Sequence, residues 1–153
     1  MARRFAGTHE HKVEQRGRVA MPALFRKVLR DLESPGVYLV PQMTHDRAHV
    51  VFSEPGFDAV CARIEEAEVD EAERALMLER VMGRAAYLEL DEAGRFVLPQ
   101  ALRDSIGIAK EIVIIGLGDR FELRSPAWQA ERAADSESRG RSALAGLNLG
   151  RLH

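Results

Sequence analysis

Residues 14–29 read EQRGRVAMPALFRKVL, and residues 91–106 read DEAGRFVLPQALRDSI. A shift of 77 positions superimposes Gly17-Arg18 on Gly94-Arg95, Pro22 on Pro99 and Arg26 on Arg103. The same shift pairs Glu14 with Asp91, Val13 with Leu90, Val19 with Phe96, Met21 with Leu98 and Leu29 with Ile106. Agreement of identities and apolar classes over such a window marks an internal duplication. Each copy carries one local plan. In YLELDEAGRFVLP (87–99) a strand alternates, turns and leaves as a strand. Asp91 suits the first position of a type I turn, and Gly94 the position that starts the return strand with positive φ. Glu14 is a poorer turn former at the matching place. A proline then introduces a short amphipathic helix, with Leu24, Val28 and Leu32 on one side and Phe25 and Leu29 beside them. Two further strands follow: VYLVP and HVVFSEP in the first copy, EIVIIG and RFELRSP in the second.

The unit therefore reads β-turn-β-α-β-β over about 45 residues, too short to bury a core by itself. Two copies solve this by interleaving strands. The expected fold class is α+β: duplicated β-β-α-β-β units interleaved into a pseudo-twofold, double-psi-like or swapped-hairpin β-barrel with flanking helices. The expected segments are unit one at 8–55, a helical linker at 56–83, unit two at 84–127, and a C-terminal helix with a mobile tail at 128–153. In the linker, Phe57, Val60, Cys61 and Ile64 form one stripe, and Ala75, Leu78, Val81 and Met82 suggest another. Eight acids stand against two arginines from Asp58 to Glu79, which predicts an acidic face in water. The tail shows no sustained period, and Trp128 is read as the anchor of the last helix.

Bulk numbers limit the function. The chain has 153 residues, 46% apolar and 30% charged, with net charge −2. One cysteine, Cys61, excludes an intrachain disulfide and a cysteine metal cluster and suits a reducing compartment. No apolar run approaches the roughly 20 residues of a membrane span, and the start lacks a signal-peptide core. Of 22 basic residues, 19 are arginine, whose rigid donor fork suits phosphates and guanine edges. Residues 1–30 hold Arg3, Arg4, Lys12, Arg16, Arg18, Arg26, Lys27 and Arg30 against Glu10 and Glu14. Such a local surplus attracts a polyanion even in an acidic protein. Arg16 and Arg18 flank Gly17, and period-2 geometry sends both to one side. Two readings of Arg18 and Arg95 stand side by side: ion pairs with Glu14 and Asp91 across their own turns, or contact with nucleic acid.

GTHEHKVEQRGRVAMPALFR and YLELDEAGRFVLPQALRDSIGIAKEIVIIGLGDRFELRSPAWQ resemble the MraZ family of bacterial transcription regulators, over roughly residues 5–130. That family carries two units of the AbrB/SpoVT type, each with an acid-x-x-x-Arg motif. The resemblance implies a sequence-specific DNA-binding regulator, mainly a repressor, of the division and cell-wall gene cluster that includes its own gene. It implies binding to repeated promoter boxes on double-stranded DNA, and a ring-shaped homo-oligomer in the cytoplasm, associated with the nucleoid. The motif arginines carry over to Arg18 and Arg95, with Arg16 as the neighbouring basic position and Glu14 and Asp91 as the carboxylates that orient them. Glu14 departs from the family's aspartate; it keeps the charge and weakens the turn cap. Lys12, Arg3, Arg4 and Arg84 are added to the DNA-binding set from local charge.

Competing motifs are weaker. His9 and His11 share a strand face, lack a third ligand and are read as surface histidines, so no metal and no cofactor is expected. His45, Asp46 and His49 are assigned to a loop, GLGD (116–119) to a turn, Ser53 and Ser125 to helix caps, and Met77 and Met82 to the core. No catalytic set converges, which argues against an enzyme. The alternative function is an AbrB-fold protein-binding module of antitoxin type.

Overall fold

The computed structural model describes residues 3–147 and residue 149. Both halves repeat one element order. The first runs β1 (Thr8–Lys12), β2 (Arg18–Ala20), α1 (Ala23–Asp31), β3 (Gly36–Pro41) and β4 (Ala48–Ser53). Two connecting helices follow, α2 (Glu54–Glu66) and α3 (Glu71–Val81). The second half runs β5 (Ala86–Glu89), β6 (Arg95–Val97), α4 (Gln100–Asp104), β7 (Glu111–Gly116) and β8 (Phe121–Arg124). A last helix, α5 (Pro126–Asp135), continues through a π-helical stretch (Ser136–Gly140) into α6 (Arg141–Ala145). Among the described residues no helix is long and apolar enough to cross a membrane.

The halves exchange strands. One antiparallel sheet has the order β1-β7-β8-β4-β3-β5, and a second, two-stranded sheet pairs β2 with β6. Swapping the halves maps the large sheet's order onto itself reversed. β1 of the first half thus lies on β7 of the second, with Thr8 opposite Ile115 and Lys12 opposite Glu111. β5 lies on β3, with Val37 opposite Leu88. The expected closed barrel does not form: the large sheet is open, with β1 and β5 as its edges. β2 and β6 span three residues each and pair only with one another. Pro22 and Pro99 follow directly after Met21 and Leu98, and a proline has no N–H to extend a ladder.

Side chains alternate across the central strands, so the sheet packs on both faces. Val37, Leu39, Val51, Phe121 and Leu123 face a core shared with Val19, Phe96, Phe25, Val28 and Leu29. Val40, Val50 and Phe52 face Phe57, Cys61, Ile64 and Val81 of α2 and α3. The α1 stripe centres on Phe25, Val28 and Leu29, and Leu24, expected on it, is exposed. The α2 stripe is buried as read, whereas Met77, Met82 and Ala75 of the α3 region lie on the surface rather than in the core. Leu78 and Val81 are the α3 side chains in this cluster, and Arg74 and Arg80 add hydrogen bonds to Ile64 O and Met43 O. Both proposed caps form: Ser53 Oγ accepts from Gly56 N at 3.0 Å, and Ser125 Oγ from Trp128 N at 3.1 Å.

Trp128 is buried and carries the Arg124 guanidinium 5.0 Å from its ring centre. Arg124 and Glu122 form a buried ion pair at 2.8 Å, completed by Gln129 and Gln42. The segment read as lacking a helical period is helical through Ala145. Its apolar positions are small alanines apart from an exposed Leu144, so a periodic stripe was not visible. The tail assignment for residue 148 and residues 150–153 falls outside the described residues.

Candidate functional site

The two glycine turns close at the same end of the molecule, joined through the β2–β6 ribbon. Arg18 stands opposite Val97, Val19 opposite Phe96, and Ala20 opposite Arg95. Val19 and Phe96 are buried, which fixes the ribbon's inner face in the core. Period 2 then turns Arg18, Ala20, Arg95 and Val97 outward. Arg18 and Arg95 become diagonal neighbours on that outer face, with Cα atoms about 7–8 Å apart. Val97 between them is 49% exposed.

Each turn is braced by the opposite half. Leu98 N donates to Gly17 O at 2.8 Å, and Met21 N donates to Gly94 O at 2.9 Å. Arg103 of α4 donates from Nε to Leu98 O at 2.9 Å. A Cβ added to Gly17, whose φ is +77°, would stand 2.5 Å from Leu98 O and 3.1 Å from the Arg103 guanidinium. Arg26 of α1 lies in the same way against Gly94, φ +76°, with its Cδ 2.4 Å from where a Cβ would stand. Arg103 thus holds the Gly17 turn by a hydrogen bond, whereas exposed Arg26 only packs against Gly94. Sequence reasoning recorded both in the 77-residue register without giving them a role. Their recurrence beside Gly17 and Gly94 was the available signal.

The two turns differ in their carboxylates. Asp91 Oδ1 accepts from Ala93 N and Arg95 N, each at 2.9 Å. Glu14 makes no side-chain cap. Its longer side chain instead reaches the other turn, where Glu14 Oε2 lies 3.4 Å from Arg95 Nη2. The expected ion pairs within each turn are therefore replaced by one pair between turns. Arg18 is exposed, and among the described residues no acid stands within ion-pair distance of its guanidinium. Arg16 is exposed too, but its φ of 63° places it in a 3-10 turn (Gln15–Gly17) rather than a strand. The period-2 argument that put it beside Arg18 does not apply there.

Of the remaining basic positions, Lys12 ends β1 on the same side as the turns and is exposed. Arg3 and Arg4 precede β1 at its far end, where Phe5 bridges to Gly118 in the β7–β8 connection. Arg84 precedes β5 and lines a hollow with His49 and α4. These three are not gathered with Arg18 and Arg95. His9 and His11 turn inward rather than to the surface. His9 packs its ring 5.1 Å from Phe25, and His11 Nδ1 donates to Ala20 O at 2.6 Å. His49, read as part of a loop, is a buried member of β4. Among the described residues no three His, Cys, Asp or Glu side chains are grouped to hold a metal ion. Burial, with Glu65 and Asp58 nearby, pushes the Cys61 thiol upward and leaves it a packing group.

Strand-exchanged halves that turn arginines outward on a short ribbon define an α+β protein whose candidate site is a pair of turns rather than a cleft. The family described as "MraZ protein, putative antitoxin-like" matches residues 81–143. Similar proteins bear the name "Transcriptional regulator MraZ". That of Saccharophagus degradans is 37% identical, covering 84% of this chain and 88% of its own. That of Ruegeria pomeroyi is 35% identical over 90% and 87%, and that of Marinobacter nauticus 32% identical over 87% and 91%. The chain belongs to the MraZ family, a family of transcriptional regulators rather than enzymes.

Proposed function

We propose that this chain is a sequence-specific regulator that binds double-stranded DNA through the outer face of the β2–β6 ribbon. The observation that carries this reading is the position of Arg18, exposed beside Arg95 on a ribbon anchored by Val19 and Phe96. A two-stranded ribbon fits the major groove, where an arginine fork pairs with guanine O6 and N7. Arg16 and Lys12 supply phosphate contacts next to it. Arg3, Arg4 and Arg84 lie away from the ribbon and would meet only DNA that passes along the body. Glu14 and Asp91 orient the turns. The units at 8–55 and 84–127 act as AbrB/SpoVT-like modules, linked by 56–83.

The regulator acts mainly as a repressor of the division and cell-wall gene cluster that includes its own gene, in the cytoplasm and on the nucleoid. A ring-shaped homo-oligomer presents many ribbons to repeated boxes, so modest contacts add where spacing matches. Footprinting on the DNA upstream of its own gene, with sizing of the protein alongside, tests the reading. Evenly spaced protected repeats and a large assembly are expected. The logarithm of the binding constant should fall with log salt at about −0.9 per phosphate contacted. A flat salt response refutes the electrostatic mode.

A further inference from the structure

The helices that brace the two turns rest on different seats. Counted back from the capping serines Ser53 and Ser125, His49 and Phe121 hold the same place in their halves. Counted on from Pro22 and Pro99, so do Phe25 and Leu102. Under α1 the place of His49 is taken by an apolar ring: Phe121 packs 4.9 Å from Phe25, and Phe5 closes on both at about 5 Å, while the partly exposed His9 of β1 lies 5.1 Å from Phe25. Under α4 the seat is polar. His49 Nε2 lies 2.7 Å from Leu102 O and 3.3 Å from Ser105 Oγ. A carbonyl only accepts, so Nε2 carries the proton and Nδ1 is left with a lone pair. That Nδ1 is buried without a partner, in a residue only 2% exposed.

No group is placed to accept a hydrogen bond from a second proton on His49 Nδ1. Its neighbours across the sheet are Leu123 on β8 and Pro41 on β3. α4 offers the Leu102 carbonyl and the Ser105 hydroxyl; Arg103 turns to Leu98 O and Asp104 is exposed. Arg84 and Asp46 line the adjoining hollow of about 390 Å³. Burial lowers the His49 pKa from its ordinary 6.5; the Leu102 hydrogen bond opposes this, and the Arg84 charge reinforces it. The folded state therefore accommodates neutral His49. Stability from this group is complete above 6.5 and is lost as pH falls from there toward the folded-state value.

We infer that His49 is a positioning residue for the Arg18 turn, acting through α4 and Arg103, and that it makes this turn sensitive to acid through a buried histidine on which the Arg95 turn does not rest. The path is short. His49 holds Leu102, Arg103 follows it on α4, Arg103 holds Leu98 O, and Leu98 N holds Gly17 O. The Arg95 turn packs against the Arg26 side chain and α1. The histidines on that side are only partly buried: His9 lies 5.1 Å from Phe25, and His11 Nδ1 donates to Ala20 O, in the peptide unit of the Met21 amide. The consequence for DNA rests on the function proposed above; the coupling itself does not.

Two reciprocal amides read it: Leu98, bonded to Gly17, and Met21, bonded to Gly94. Amide hydrogen exchange of the full chain carrying His9→Gln and His11→Gln, which remove the histidines beside Phe25 and Ala20, is resolved by residue, corrected for intrinsic rate and measured at about pH 7.5 and about pH 5.5, with the His49 variants made in the same background. Acid should lower the protection of Leu98 relative to Met21 by about tenfold. His49→Phe, which copies the apolar ring, and His49→Gln should both abolish that pH dependence. His49→Ala should lower the Leu98-to-Met21 ratio already at neutral pH. A general loss of stability lowers both amides alike. Equal changes at the two amides, an acid response that persists in both His49→Phe and His49→Gln, or an unchanged ratio in His49→Ala overturns the inference. Binding to a duplex from upstream of its own gene is measured in parallel. If the ratio responds while affinity does not, the positioning stands and the DNA role of Arg18 falls.

Discussion

The turns at Gly17 and Gly94 share a register and a glycine conformation but divide the electrostatic work unequally. At the second turn Asp91 is short enough to fold back and accept two backbone N–H groups. At the first, the extra methylene of Glu14 carries its carboxylate past its own backbone and onto Arg95. One turn is therefore closed by its own acid, and the other lends its acid to its neighbour. The result is an exposed Arg18 and a half-engaged Arg95. A difference of one carbon redistributes charge across a twofold-like pair without altering the ribbon between them.

The sharpest way to break the comparison is at the glycines. Gly17→Ala sets a Cβ against the Leu98 backbone oxygen, which accepts from Arg103 Nε, and forces alanine into the left-handed region. It should cost about 3 kcal/mol. Gly94→Ala meets only the Arg26 side chain, which is exposed and can swing away, and should cost about 1–2 kcal/mol. Urea unfolding midpoints of the two variants check the order. Next come the arginines. Arg18→Ala should weaken binding to promoter DNA by about 1–3 kcal/mol per site. Arg95→Ala should weaken it less, because Arg95 must first leave Glu14. Titrations at one salt concentration, with circular dichroism as a control for folding, separate them. For the acids, Asp91→Ala should destabilise by about 1–2 kcal/mol through its two backbone hydrogen bonds, whereas Glu14→Ala should stay within about 0.5 kcal/mol. The smallest effect is expected from Glu14→Gln. It should tighten DNA binding by about 0.5 kcal/mol by releasing Arg95 and removing a negative charge; a loss of affinity would show that Glu14 orients Arg95 productively.

Much of this was legible in the chain. The repeat, the β-β-α-β-β order, the positive φ of Gly17 and Gly94 and the capping serines all follow from local chemistry that sequence displays directly. The open sheet was not legible, because closure depends on whether three-residue strands find a third partner. The Glu14–Arg95 pair was hidden for a related reason: the two residues meet only because β2 pairs with β6. Likewise His49 reads as a loop residue beside Asp46 until β4 is laid on β8. The α5–α6 continuation escaped notice because alanine and serine positions carry no strong apolar period.

The crossed bracing of the turns fixes when the β2–β6 ribbon can exist. Gly17 leaves the ribosome long before Arg103, and β1 waits for β7 as its partner. A nascent or prematurely ended chain that stops within the connecting helices holds the complete first turn in its sequence and none of its support. The ribbon proposed to bind DNA thus forms only once β6, α4 and β7 have been made, and products truncated before them would lack it.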